Sequence, residues 1–304
     1  MTAHRSSTPP TIAFAGATLD RAAHLRADAE NERLRRLGSS RAVLVSPEQD
    51  VAIAADRTLF LAPVSALPAD APLTFLGLGA SGAGVFAFDT LVRGAPDRQR
   101  YASLRALMAE LDPDEAALAA YAVGMVNWHR VNRHCGRTGH VTEVEAAGHR
   151  RRCPGCGLVV FPRTDPAVTM LVQSGEKALL SRRHGAPANR WSALAGFVEP
   201  GETLEQAVAR EAREETGVEV ASVQYVSGQP WPFPAALMLG FWAFAAPAGD
   251  GALAPQPDEL VEARWFERGE LHRALNDERI DIPPPGTIGN YLIRTWLEGG
   301  PRPG

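Results

Sequence analysis

The sequence predicts an α+β protein whose C-terminal half layers helices on one sheet. Three observations carry that prediction. The 304 residues suffice for two or three domains. The C-terminal half reads strand, strand, loop, helix, strand, strand, an order that builds layers around a sheet. Between it and a mixed N-terminal half, residues 132–161 turn short and polar, with the cysteines and several histidines clustered there.

The elements follow in order. RAVLVSP (41–47) and VAIAA (51–55) read as short strands, and TFLGLGASGAGVFAFD (74–89) as two strands around a Gly/Ser turn. YASLRALMAEL (101–111) and DEAALAAYAVGMVNWHR (114–130) space their apolar residues helically, the second behind a cap at Asp112 to Asp114. Taken alone, this half carries no chemical constellation. Further on, AVTMLVQ (167–173) and ALLSRR (178–183) suggest a hairpin. A helix opens at Thr203, and VQYVS (223–227) and LMLGFWAFAA (237–246) read as strands. The turn IPPPGT and the amphipathic IGNYLIRTWLE close the chain. There is no internal repeat, and no disordered low-complexity tract beyond the two termini.

Composition narrows the function classes. Hydrophobic residues are 45% and charged residues 22%, ordinary for a globular protein. Lys plus Arg number 31 against 35 Asp plus Glu, for a net charge of -4. That balance makes no electrostatic case for a dedicated nucleic-acid or membrane-surface protein. No apolar run has signal-peptide or membrane-spanning length. Three cysteines, two of them spaced CxxC, argue against a disulfide framework. Together these features read as a cytoplasmic protein.

The most informative segment is GFVEPGETLEQAVAREAREETGV, 196–218. Thr203 and Gln206 form a capping box, and Gly217 suits the position just past the helix end. At about 100° per residue, Leu204, Val208, Glu211 and Glu215 share one stripe, so an inward face begins apolar and ends acidic. Like charges at i, i+4 oppose a helix by roughly 0.2–0.5 kcal/mol per pair, and its C-terminal dipole disfavours anions. A solvated acidic face with Arg210 and Arg213 as surface partners is the plain alternative. A divalent cation would relieve the repulsion, and hard oxygen ligands suit Mg²⁺ or Mn²⁺ bound with substrate phosphates.

The stretch resembles the Nudix box, G-x5-E-x7-R-E-U-x-E-E-x-G-U, through Gly196, Glu202, Arg210, Glu211, Glu214, Glu215 and Gly217. Val218 fills the last bulky position, while Ala212 is smaller than the usual aliphatic residue. The resemblance implies a Nudix α/β/α sandwich and hydrolysis of a nucleoside diphosphate linked to another group. It implies cations on Glu211, Glu214 and Glu215, with the Ala195 carbonyl as a further ligand. Arg210 would orient a glutamate and Glu202 would support the loop. Cations neutralise a diphosphate and activate water, and a carboxylate beside that water positions it or takes its proton. Glu215 is the first choice for that part.

In SGQPWPFPAALM (227–238) three prolines alternate with two large aromatics. Such a stretch is excluded from helix interiors and central strands. A rigid turn covering a core edge would account for it; beside a diphosphate site, rings on a pre-ordered loop would stack on bases at low entropic cost. It resembles the SQPWPFPxS signature of the NADH pyrophosphatases, hydrolases of NAD-capped RNA within the Nudix family. That resemblance makes Gln229, Pro230, Trp231, Pro232, Phe233, Pro234, Ala235 and Ala236 substrate-binding. Gly228 and Ala236 replace two serines of the signature, removing hydroxyl bonds of roughly 0.5–1.5 kcal/mol each. The resemblance further carries Glu259 to metal and substrate contacts, Phe161 and Phe197 to base stacking, and Gly289 to a backbone contact with substrate.

A zinc ribbon uses two CxxC knuckles because four thiolates complete a tetrahedron. Cys153 and Cys156 form one knuckle, but the other has Cys135 with Thr138 in the second cysteine position. Two readings stay open. His134, His140 or His149 supplies a fourth ligand, or packing holds the ribbon without metal. The resemblance covers nearly the whole chain and sets domains at 1–127 (N-terminal α+β), 128–163 (ribbon-like) and 164–304 (Nudix). It implies a metal-dependent diphosphatase cleaving NADH or NAD⁺ to nicotinamide mononucleotide and AMP, NAD-capped RNA as a further substrate, and a homodimer. The altered serines motivate an alternative preference for ADP-ribose. A non-catalytic dinucleotide sensor would show a broken acidic cluster, and here the three glutamates stand intact.

Overall fold

Apolar alternation decides which segments pair as strands, and pairing divides the chain. The computed structural model describes residues 12–26, 28–91, 100–247 and 252–300. Among these it forms two units, residues 13–164 with 230–236, and 165–229 with 237–300. The low-complexity ends noted in the sequence lie largely outside the described residues.

The first unit begins with α1 (Asp28–Arg35), β1 (Arg41–Val45), β2 (Asp50–Ile53), β3 (Leu61–Pro63), β4 (Leu73–Leu78), β5 (Gly84–Asp89) and β6 (Arg100–Ser103). The helices α2 (Leu104–Leu107) and α3 (Pro113–Val131) follow. The sheet order is β4-β5-β1-β2-β6, with β3 on β1. The predicted cap holds: the Asp112 carboxylate accepts from the Asp114 N–H at 3.0 Å, with Pro113 in the first turn. Small residues on α3, Ala116, Ala119, Ala120 and Val123, bury against Val43, Val45, Leu76 and Ala87 of the sheet. One expectation fails. Of the helix expected over 101–111, only Leu104–Leu107 is helical, because Arg100–Ser103 pairs with β2 residue by residue, Val51 opposite Ala102. Buried Leu104 and Leu107, three apart, gave the segment its helical signature. A small sheet of β7 (Glu143–Glu145), β8 (Arg150–Arg152) and β9 (Val159–Val160) forms the ribbon.

The second unit runs β10 (Asp165–Ser174), β11 (Lys177–Arg183), β12 (Leu194–Phe197), α4 (Leu204–Thr216), β13 (Val220–Trp231), β14 (Ala236–Ala245), β15 (Leu260–Glu267), α5 (Arg268–Asn276) and α6 (Ile288–Leu297). Its sheet order is β13-β14-β10-β11-β15, with β12 on β10. Parity along β10 shows the sandwich. Val168, Met170 and Val172 pack with Ala207, Val208 and Ala212 of α4, while Leu171 packs with Leu292, Ile293 and Trp296 of α6 and Leu271 of α5. The sheet therefore carries helices on both faces. β13 extends through SGQPW, so half of the proline–aromatic stretch is strand, not loop. Pro230 is tolerated because β13 is the sheet edge, where a missing N–H breaks no inner ladder.

Candidate active site

The acidic helix is locked at both ends. The Thr203 hydroxyl accepts from the Gln206 N–H at 3.3 Å, and the Gln206 carboxamide accepts from the Thr203 N–H at 2.8 Å. Gly217 takes φ 77°, the left-handed geometry that a side chain disfavours. Upstream, Gly196 on β12 has ordinary φ, and its requirement is space: a Cβ there would lie 1.9 Å from the Glu211 carboxyl carbon. Glu211 therefore packs directly over the backbone of β12.

Arg210 spends its guanidinium on five oxygen contacts. Nε and Nη2 donate to the two Glu202 oxygens at 3.1 and 2.7 Å, Nη1 to Glu211 at 2.8 Å and Glu214 at 3.1 Å, and Nη2 to the Phe197 carbonyl at 2.9 Å. This fork-to-fork pairing fixes both positions and charges. Glu202 also accepts from the Glu199 N–H at 2.7 Å, which ties the loop 197–203 to the helix. Arg210 holds the Glu202 carboxyl below the usual carboxylate range. The Glu214 side chain is half exposed.

Glu215 sits differently. It is 1% exposed, and one oxygen accepts from Arg183 while the other, Oε2, has no partner. Burial first, then the charges of Glu211 and Glu259, push its pKa up to about 7 against the opposing pull of Arg183. The same Arg183 Nη2 donates to the Ala195 carbonyl at 2.6 Å. Glu259 is exposed in the turn before β15, its carbonyl 3.5 Å from the His184 N–H. Among the described residues the glutamates form no trio with ligand oxygens within 4.8 Å of one another. Still, an all-oxygen donor set, a buried carboxylate oxygen without a partner, and a guanidinium bridging Ala195 and Glu215 fit a cation at this place. Arg183, at the end of β11, was missed by the sequence reading; ALLSRR signals only a strand.

The predicted substrate residues divide. Phe197 and Phe161 present 61% and 63% of their surface, leaving ring faces open for stacking. Trp231 and Phe233, by contrast, are engaged within the first unit. Their rings meet at 5.2 Å, each packs on Phe14, and the Arg105 guanidinium lies 4.5 Å over Phe233. Pro232 is buried, and its carbonyl accepts from the Asn127 carboxamide at 3.1 Å. The Phe233–Pro234 bond is cis; Pro234 is exposed and Ala235 half-buried. Ala236, 9% exposed, begins β14. Gln229 is 1% exposed and caps α6, accepting from the Ile288 N–H at 2.9 Å and donating to the Gly286 carbonyl at 2.8 Å. Gly289 follows in the first turn of α6.

In the ribbon, Cys135, Cys153 and Cys156 bring their sulfurs within 4.8 Å of one another. Thr138 stands where a fourth ligand would, its hydroxyl 3.3 Å from the Cys153 sulfur and 3.1 Å from His140 Nδ1. Hydrogen bonds, that of Thr138 foremost, hold the Cys135 thiol down to about 6, ready as a thiolate. The donor set fits zinc at three of four positions. Of the histidines offered as fourth ligand, none joins the trio. His149 is committed elsewhere, its Nε2 2.6 Å from the Phe75 carbonyl, and exposed His134 pairs its backbone with Val141.

Comparisons with known proteins agree with this architecture. Residues 21–128 match the NADH pyrophosphatase-like rudimentary NUDIX domain, 130–161 the NADH pyrophosphatase zinc ribbon domain, and 163–284 the NUDIX domain. The NAD-capped RNA hydrolase NudC of Mycobacterium bovis is 35% identical over 300 residues, 94% of each chain. Its namesake from Stutzerimonas stutzeri is 39% identical over 231 residues, 75% of this chain and 80% of its own. The human NAD-capped RNA hydrolase NUDT12 is 36% identical over 64% of this chain and 44% of its own. The fold and site define a hydrolase that works on diphosphate bonds with a divalent cation. The chain belongs to the Nudix family, in its NADH pyrophosphatase branch with rudimentary N-terminal domain and zinc ribbon.

Proposed function

We propose that this protein hydrolyses the diphosphate of NADH and NAD⁺ to nicotinamide mononucleotide and AMP, and removes NAD caps from RNA 5′ ends. The observation that carries this reading is the complete acidic helix, with its Arg210 clamp, in a chain similar to NAD-capped RNA hydrolases along 94% of its length. The domain limits 1–127, 128–163 and 164–304, a homodimer and a cytoplasmic setting belong to the same reading. Among the described residues no helix is long and apolar enough to cross a membrane.

Ala195, Glu211, Glu214, Glu215 and Glu259 are the proposed oxygens for Mg²⁺ or Mn²⁺. When bound, the cation neutralises diphosphate charge and acidifies a water. The chain supplies the rest. Arg210 fixes the rotamers of Glu211 and Glu214. Buried Glu215 keeps one oxygen free to orient water or accept its proton. Arg183, bonded to the Ala195 carbonyl and Glu215, is a positive charge beside the proposed cation ligands and would attract substrate phosphate. Open Phe197 and Phe161 rings are the proposed base-stacking surfaces.

The test is product analysis of purified protein with NADH, NAD⁺ and ADP-ribose, each with Mg²⁺ or Mn²⁺ and with chelator. Metal-dependent release of nicotinamide mononucleotide and AMP, fastest with NADH, is expected. Faster cleavage of ADP-ribose would overturn the substrate assignment while keeping the chemistry. Gly228 gives that outcome its motive: a Cβ there would lie 3.3 Å from the Tyr225 hydroxyl, and no serine fills the space.

A further inference from the structure

Among the described residues, Arg151 is a buried charge with no carboxylate bonded to it. The residue is 8% exposed. Its Nε and Nη2 donate to the hydroxyl and carbonyl of Thr142 at 2.7 and 2.9 Å, and its Nη1 meets His129 Nδ1 at 3.0 Å. All three partners are neutral, because burial holds the His129 imidazole down to about 4. Among the described residues lining this place, the carboxylate is Asp89, and Arg130 takes it in a two-bond pair at 2.5 and 2.9 Å. Arg133, exposed, adds a like charge that opposes Arg151. Buried ions are ordinarily paired, since desolvation is otherwise uncompensated.

A cavity of about 100 Å³ opens against these groups, lined by Thr74, Asp89, His129, Arg130, Arg133 and Arg151 among others. It belongs wholly to the first unit, where β4 and β5 meet the end of α3 and the ribbon strands. The space is large enough for one tetrahedral oxyanion. Among the described residues, three of the five Arg151 N–H donors have partners. The surrounding sequence is charged in the same sense: from Arg130 through Arg163 stand seven arginines and two glutamates, in a chain of net charge -4.

We propose that this cavity is an anion site taking a phosphate group, with Arg151 as its buried donor and Arg133 as its outer one. The site uses none of the residues of the Nudix helix. Its ligand chemistry is a phosphoryl group, whether free phosphate, a monoester or the backbone of a nucleic acid strand.

The test is thermal unfolding of the full chain with chelator present, titrated with inorganic phosphate against chloride of equal ionic strength. At ten times its dissociation constant, phosphate should raise the transition by about 3–5 °C. R133A, an exposed position, should weaken the phosphate response about tenfold, and R151M should abolish it. Equal response to phosphate and chloride, or an R133A protein that responds like the unaltered one, would overturn the proposal. Because R133A is on the surface, it decides the matter even where R151M fails to fold. A 5′-hydroxyl octaribonucleotide then separates the sources. Competition with phosphate that depends on Arg133 assigns the site to strand backbone; absence of competition assigns it to free phosphate or a monoester. The readout needs no turnover, so failure of the substrate assignment leaves it intact.

Discussion

Replacing Gly196 by alanine tests whether the box glycine exists to let Glu211 approach β12. The added Cβ would sit 1.9 Å from the carboxyl carbon and one oxygen of Glu211, and 2.3 Å from the other oxygen. Non-bonded heavy atoms settle near 3.5–4.0 Å, so the carboxylate must retreat by about 1.5–2 Å. That retreat breaks the 2.8 Å bond from Arg210 and withdraws a proposed cation ligand. A misplacement of about 1 Å can cost on the order of 10²-fold in rate, near 2.7 kcal/mol. G196A should therefore lose about 100-fold or more in kcat/KM for NADH. Losing one charged hydrogen bond costs about 1.5–3 kcal/mol, a drop of several degrees with the fold retained. Steady-state kinetics with Mg²⁺, beside a circular-dichroism melt, reads both. The double variant G196A/E211D gives the carboxylate room, so its loss should be smaller than the two single losses combined. Strict additivity, or near-normal turnover by G196A, would refute the reasoning.

Arg210→Lys keeps the charge but loses the fork. It should lower kcat/KM by about two orders of magnitude and lower the melting temperature, since a point charge cannot serve Glu202, Glu211 and Glu214 together; unchanged kinetics would remove Arg210 from the site. Thr138→Cys supplies a fourth thiolate 3.3 Å from the Cys153 sulfur, the Thr138 hydroxyl position. Zinc retained after chelator dialysis, measured by elemental analysis, should rise to one per chain and exceed that of the unaltered protein; equal retention would sink the idea. His129 and His149 are both held near 4 by burial, so between about 6.5 and 4 the unfolded chain binds more protons than the folded one. Stability is thus full above about 6.5 and falls as pH drops toward 4, by about 3 kcal/mol from His129 alone as an upper figure. Melts from pH 7 to 4 check this, and H129Q should flatten part of the slope.

The sequence by itself determined what depends on near neighbours along the chain. The Thr203 cap, the Gly217 stop and the stripe from Val208 to Glu215 follow from helical periodicity, which fixes positions three and four residues apart. The β4–β5 hairpin and the Cys153–Cys156 knuckle were legible for the same reason. Tertiary structure alone decided what pairing across the sheet brings together. Arg183 reaches Ala195 and Glu215 because β11 and β12 both pair with β10, a register no motif announces. Gly196 is required by a side chain fifteen positions later, and its ordinary φ leaves no conformational trace. Trp231 and Phe233 read as a free stacking loop, yet Phe14 and Arg105, more than a hundred residues earlier, occupy their faces. Burial of a large ring against a distant partner follows from apolar area removed from water, and that area exists only once the chain has folded.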